Sequence, residues 1–264
     1  MKKIFIMFGL ALAPKFANAK DSFLVKFNNK IIVEEGDCKT RYSPCSTFKI
    51  AISLMAYEEN LLINEENPVI PYDENCNADF DKWKQPHTPK MWMPHSCVWF
   101  SQVLTKKMGD AKFFKYVKKL NYGNKDIKGD PNKNNGLTNC WLSSSLKISA
   151  FEQIEFLENL INNRLPFFLH AQEMTKSIIF IGVLEDGWKL YGKTGSGYQL
   201  DDKKERTQIH EGWFIGFLEK NGKYLVFAYH ILDDEKQNDY AGQRAKSLAV
   251  EKLKMIVKSI KVKA

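Results

Sequence analysis

Ser46-Thr47-Phe48-Lys49 sets a hydroxyl and an amine three residues apart. A serine hydroxyl is a poor nucleophile until a base takes its proton, and a neutral amine within reach can serve. Pro44 precedes the pair, and Ile50, Leu54 and Tyr57 follow at apolar-periodic spacing. This spacing predicts that Ser46 sits at or near a helix N-terminus, with Lys49 stacked one turn on along the same face. The pattern alone says little. Ser144 to Lys147 is a second match, and about two are expected by chance at this serine and lysine content.

The weight lies in the company Ser46 and Lys49 keep. Ser96-Cys97-Val98, Tyr122-Gly123-Asn124 and Lys193-Thr194-Gly195 follow in that order, and Trp141 to Ser149 reads Trp-x-x-x-x-Leu-Lys-Ile-Ser. Each triplet is common by itself, and all of them in register are specific. In these residues the chain resembles the serine β-lactamase and penicillin-binding protein superfamily, and within it the class D (oxacillinase-type) β-lactamases. The resemblance runs from about residue 22 to 258, nearly the whole chain after the first nineteen residues.

That resemblance implies hydrolysis of β-lactam antibiotics through an acyl-serine intermediate. Ser46 becomes the acylated nucleophile. Lys49, carboxylated on its amine by carbon dioxide, becomes the general base for acylation and deacylation. No other cofactor and no metal is implied. Carboxylation needs the neutral amine, which an apolar pocket favours, and Val98 stands in that pocket where related enzymes carry Asn. Phe48 and Leu54 read as core beside it. Trp141 matches the tryptophan whose indole N–H holds the carbamate.

Ser96 then relays a proton to the departing lactam nitrogen, and Lys193 supports that transfer and attracts the substrate carboxylate. Thr194 and Arg244 bind the same carboxylate, a task that a bidentate guanidinium suits. Gly195 and Gly197 flank Ser196 and let the substrate backbone approach the strand. The N–H groups of Ser46 and Ser196 form the oxyanion hole. Tyr122-Gly123-Asn124 has a place in the family pattern, although a simple turn accounts for the same residues. Cys45 and Cys97 are departures from the pattern, beside the nucleophile and inside the second triplet.

Two other readings share the superfamily. A penicillin-binding transpeptidase or carboxypeptidase usually carries Asn where Val98 stands and lacks an equivalent of Trp141. A β-lactam sensor domain binds the drug and stays acylated. The presence of Ser46, Lys49, Ser96 and Lys193 together argues against a catalytically dead binding protein.

These residues need elements to hold them. Phe23 to Phe27 and Lys30 to Val33 read as strands joined at Asn28-Asn29, since Asn tolerates positive φ in tight turns. Trp213 to Leu218 and Tyr224 to Leu232 form a second hairpin around Asn221-Gly222, and Trp188 to Thr194 is a further strand. Between them the chain turns helical. Ser149 with Glu152 makes a capping box ahead of Phe151, Ile154, Phe156, Leu157 and Ile161. Asp110 to Leu120 and the amphipathic tail Ala241 to Val257 are helices by the same test.

Residues 61–145 are rich in Asn, Pro and Gly and predict short helices and loops. The fold class expected is α/β (α+β) of the β-lactamase/transpeptidase-like kind: an antiparallel sheet flanked by helices, with an inserted, mainly helical subdomain. The sheet part spans about 20–60 and 186–264 and the helical part about 61–185, with the site in the cleft between them.

The 264-residue chain is 44% hydrophobic and 27% charged, ordinary for a globular protein. Its first nineteen residues read as a signal peptide: Lys2-Lys3, an apolar run from Ile4 to Ala13, then Ala17-Asn18-Ala19. Cleavage after Ala19 removes three lysines and no acids, taking the net charge from +8 to +5. A moderately basic, periplasmic or secreted protein without stable membrane insertion is expected. The dispersed lysines form no nucleic-acid motif and read as solvated surface, so a small-molecule β-lactam is the partner implied.

The five cysteines, Cys38, Cys45, Cys76, Cys97 and Cys140, and the scattered histidines fit no metal-ligand spacing. Cys38 and Cys45 are close enough in sequence to pair across a loop in an oxidising compartment.

Overall fold

The period-2 apolar pattern of the terminal segments builds one sheet with both faces covered. The structure, a computed structural model, describes residues 20–184 and 187–261; the expected signal segment 1–19 lies outside them. Six antiparallel strands run in the order β2-β1-β6-β5-β4-β3, where β1 is Ser22–Phe27, β2 Lys30–Glu35, β3 Phe180–Val183, β4 Lys189–Leu200, β5 Arg206–Lys220 and β6 Lys223–Leu232. Asn28 and Asn29 take φ of 49° and 60°, the left-handed pair a two-residue hairpin needs. The second hairpin turns at Asn221 and Gly222 and is longer than expected, because β5 begins at Arg206.

The helices are α1 Lys49–Glu58, α2 Pro89–His95, α3 Val98–Met108, α4 Asp110–Lys119, α5 Gly136–Asn139, α6 Ala150–Ile161, α7 Leu169–Ile178 and α8 Ala241–Lys261. On one sheet face, Phe23, Val25, Phe214, Leu218, Phe227 and Tyr229 pack under α8 through Ala245, Ala249, Leu253 and Val257. The alternate residues Leu24, Trp213, Ile215, Phe217, Val226 and Ala228 face the other helices. Each strand residue thus finds an apolar partner on its own side.

The capping box forms as the sequence predicts: Ser149 Oγ accepts from Glu152 N, and Glu152 Oε2 accepts from Ser149 N. Helix α1 differs from expectation. Residues 49–57 are all buried, so it is a central helix wrapped on every side rather than an amphipathic one. Strand β3 lies inside the stretch expected to be helical; it is a short outer strand, and Phe180, Ile181 and Val183 are exposed there.

All five cysteines are free, which corrects the Cys38–Cys45 pairing. The Cys38 thiol donates to Glu35 O, while Cys45 turns inward beneath Gly197 and Ser143. Among the described residues no helix is long and apolar enough to cross a membrane.

Candidate active site

Pro44 starts a single 3-10 turn, Cys45–Phe48, that runs straight into α1. Side chains three apart eclipse in such a turn, which sets Lys49 over Ser46, and Lys49 Nζ donates to Ser46 Oγ at 2.9 Å. Lys49 is fully buried, and that burial pushes its ammonium down to about 8. A substantial neutral fraction therefore exists near neutral pH, and the serine hydroxyl can donate in turn to that amine.

Trp141 is also fully buried, packed against Phe48 and Phe113 at ring separations of 5.7 and 6.3 Å. The indole N–H groups of Trp83, Trp92, Trp99 and Trp213 all donate to nearby oxygens. The Trp141 indole has no acceptor among the described residues, a costly state for a buried donor.

A second serine–lysine pair comes from distant parts of the chain. Ser96 ends α2 in the left-handed region at φ 57°, and Cys97-Val98 then starts α3. Lys193 on β4 donates to Ser96 Oγ at 2.9 Å and to Thr194 O at 3.0 Å. Burial holds the Lys193 ammonium well below its ordinary range, and Lys49, Lys246 and Lys82 push the same way.

Strand β4 brings Thr194, Gly195 and Ser196 past Ser46. A Cβ on Gly195 would stand 2.8 Å from Pro44 O and 3.2 Å from Ser46 N. One on Gly197 would stand 2.4 Å from both Cys45 Sγ and Ser143 Oγ. The space beside these glycines is filled by Ser143 and by the protein's own lead-in to Ser46. The Ser196 hydroxyl accepts from Gly242 N at 3.0 Å, tying β4 to the first turn of α8.

Two serine–lysine pairs on a sheet-and-helix frame narrow the field, and comparison with known proteins closes it. The family model for the penicillin binding protein transpeptidase domain matches residues 14–254. Beta-lactamase OXA-1 of Escherichia coli is 40% identical over 243 residues, 90% of this chain and 85% of that protein. Beta-lactamase OXA-9 of Klebsiella pneumoniae is 38% identical over 217 residues, 81% of this chain and 79% of that one. The crystal structure of the OXA-427 class D β-lactamase superposes with a TM-score of 0.86 at 35% identity, covering 91% of this chain and 99% of that one. The chain belongs to the class D serine β-lactamases.

Within this class D β-lactamase, Arg244 is already engaged. Its guanidinium donates to both oxygens of the buried Asp233 at 2.8 and 2.6 Å and pairs with Asp239 at 2.7 Å. It keeps 27% of its side chain exposed.

Tyr122-Gly123-Asn124 is a brace. Asn124 donates from its backbone N to Lys147 O and from Nδ2 to Ser145 O, and accepts from Lys147 N. Gly123 has φ +50°, and a Cβ there would meet Lys147 O at 1.9 Å. The Gly123→Ala variant is expected to lose about 2–4 kcal/mol, since backbone strain and a backbone clash coincide. Calorimetric unfolding would show it, and an unchanged Tm would contradict the brace.

Sequence reasoning missed Ser43 altogether. Its hydroxyl donates to Trp141 O at 2.9 Å and accepts from Ser143 N at 3.0 Å, while its carbonyl accepts from the Trp213 indole at 2.9 Å. It links the Ser46 lead-in, the Trp141 segment and β5. No motif flags it, because its role is made by contacts 98 to 170 residues away.

Proposed function

We propose that this protein hydrolyses β-lactams through an acyl-serine on Ser46, with Lys49 working in its carboxylated form. The observation that carries the reading is a buried amine, about half neutral near pH 8, set 2.9 Å from the Ser46 hydroxyl, with the unpartnered Trp141 indole packed on neighbouring Phe48. Those features suit a carbamate: the amine is in the reactive form, and Trp141 offers the buried charge a hydrogen bond. When present, the carbamate supplies a general base for both half-reactions.

Ser46 Oγ gives up its proton and attacks the lactam carbonyl, while the N–H groups of Ser46 and Ser196 face the developing oxyanion. As the C–N bond breaks, Ser96 passes a proton to the leaving nitrogen. Lys193 donates to Ser96 Oγ and holds its orientation. Hydrolysis of the ester by water then frees Ser46. A negative group on Lys49 in place of an ammonium would turn its repulsion of Lys193 into attraction, so Lys193 would regain its charge as the base forms.

Thr194 and Arg244 are assigned to the substrate carboxylate. Removal of one charge-assisted contact weakens binding by about 10–100-fold, so Arg244→Ala should raise KM for a penicillin by about that factor, with kcat less affected. It also strands Asp233, which is 2% exposed, and lowers Tm. Adding Asp233→Asn should return the stability and leave KM high. Recovery of both would mean that Arg244 serves the fold alone.

We also propose that residues 1–19 are removed on export and that the mature chain starts at Lys20, just ahead of β1. Mass spectrometry of the exported protein reads this directly.

The experiment for the whole reading is hydrolysis of a chromogenic cephalosporin in large molar excess, with and without bicarbonate. Sustained turnover that rises with bicarbonate supports it. A single stoichiometric burst that bicarbonate does not extend would mean acylation without release, as in a sensor or penicillin-binding protein.

A further inference from the structure

Glu211 on β5 is 2% exposed and has no place in the chemistry above. It pairs across the ladder with Gly197, the neighbour of Ser196, and cross-strand residues project to one face. On that face the missing Gly197 side chain would meet Cys45 and Ser143, so Glu211 lies behind the lead-in to Ser46. Its Oε1 has no hydrogen-bond partner among the described residues. We propose that Glu211 is a positioning residue for acylation, packed behind the lead-in to Ser46 and opposing the oxyanion only when ionised.

The groups around it leave one charge free to change near neutral pH. Burial holds the carboxyl up at about 7, with Lys147 and the Ser43 amide pulling the other way. From the lead-in, Tyr42 is raised above its ordinary value by burial, and burial takes Cys45 to about 12. On β6, His230 lies diagonally across the ladder, stacked on Tyr42 and tilted against Trp213, and burial takes it down to about 3. All three stay neutral where Glu211 titrates. An ionised carboxylate behind the hole raises the cost of negative charge on the lactam oxygen, and a protonated one does not.

This inference rests on Ser46 being the nucleophile. Its test compares kcat/KM of Glu211→Gln and wild type at saturating bicarbonate across about pH 6 to 8.5, because the ratio cancels the titration of Lys49. Gln keeps the size and polarity of the side chain and cannot ionise. The variant-to-wild-type ratio should be about 1 at the acid end and climb to about 3–10 at the alkaline end. A flat ratio overturns the proposal, as does a folded variant slowed equally at every pH.

If Glu211→Gln fails to fold, the wild-type protein still decides. The infrared band of its protonated carboxyl should move to a higher titration midpoint when an arylboronic acid forms its tetrahedral anion on Ser46, and an unmoved midpoint overturns the proposal. Failure of wild-type Ser46 to acylate with a penicillin would remove the nucleophile reading itself. Acylation with a flat ratio removes only Glu211.

Discussion

The Lys49→Ala variant is expected to take up one equivalent of a penicillin and then stop. Mass spectrometry should find an adduct of the intact drug on Ser46 that persists for hours, while kcat falls by at least about 10³-fold. General-base catalysis contributes about 10²–10⁴ at each step that uses it, and Lys49 is the buried amine beside Ser46. Acylation retains the strain of the lactam ring and the oxyanion donors, so it slows but continues. Deacylation needs an activated water and has no such reserve. Normal steady-state hydrolysis by this variant would sink the mechanism.

Loss of fold would not explain such a result. Burying the amine lowers its pKa from 10.5 to about 8, an unfavourable contribution on the order of 3 kcal/mol at neutral pH. Its removal offsets packing lost with the lysine stem, so Tm should change little. Between pH 8 and 10.5 the unfolded chain keeps a proton on Lys49 that the folded chain has shed, so stability rises with pH across that window. The alanine variant lacks Lys49's share of the rise, which urea titrations at the two ends would measure.

Trp141→Phe is expected to cost about 10–100-fold in kcat at ambient carbon dioxide, the worth of one hydrogen bond to a buried charge. Bicarbonate should restore much of the loss, and half-maximal activity should need correspondingly more of it. Phe keeps most of the packing against Phe48 and Phe113, whereas Ala would also open a cavity worth about 3–5 kcal/mol. At fixed dissolved carbon dioxide the deficit should deepen as pH falls below about 8, because protonated Lys49 cannot be carboxylated. A bicarbonate response identical to that of wild type would detach Trp141 from Lys49.

What the sequence disclosed follows from range. The Asn28-Asn29 turn, the Asn221-Gly222 turn, the Ser149–Glu152 box and the Ser46–Lys49 stack are fixed by residues within four of each other, and each stands in the structure. Ser96 and Lys193, 97 positions apart, could be paired only through the family pattern. Strand β3 escaped because Ile178-Ile179-Phe180-Ile181 is a continuous apolar run with no period, and α7 ends within it. Ser43, Asp233 and Glu211 carry no local signature; distant backbone gives each its place. The glycines of β4 were seen, but what fills the space beside them depends on the whole fold.

Gly195, Gly197, Gly212 and Gly242 line one seam, where the Ser46 lead-in, β4, β5 and the start of α8 meet almost backbone to backbone; any added Cβ would come within 2.8 Å of a neighbour. Such a seam has no spare volume for natural variation. Under antibiotic selection, substitutions that widen the range of drugs accepted should therefore gather in the exposed rims of the cleft. These four positions should stay glycine in every surviving lineage, and an inhibitor that leans on the seam would be slow to meet resistance there.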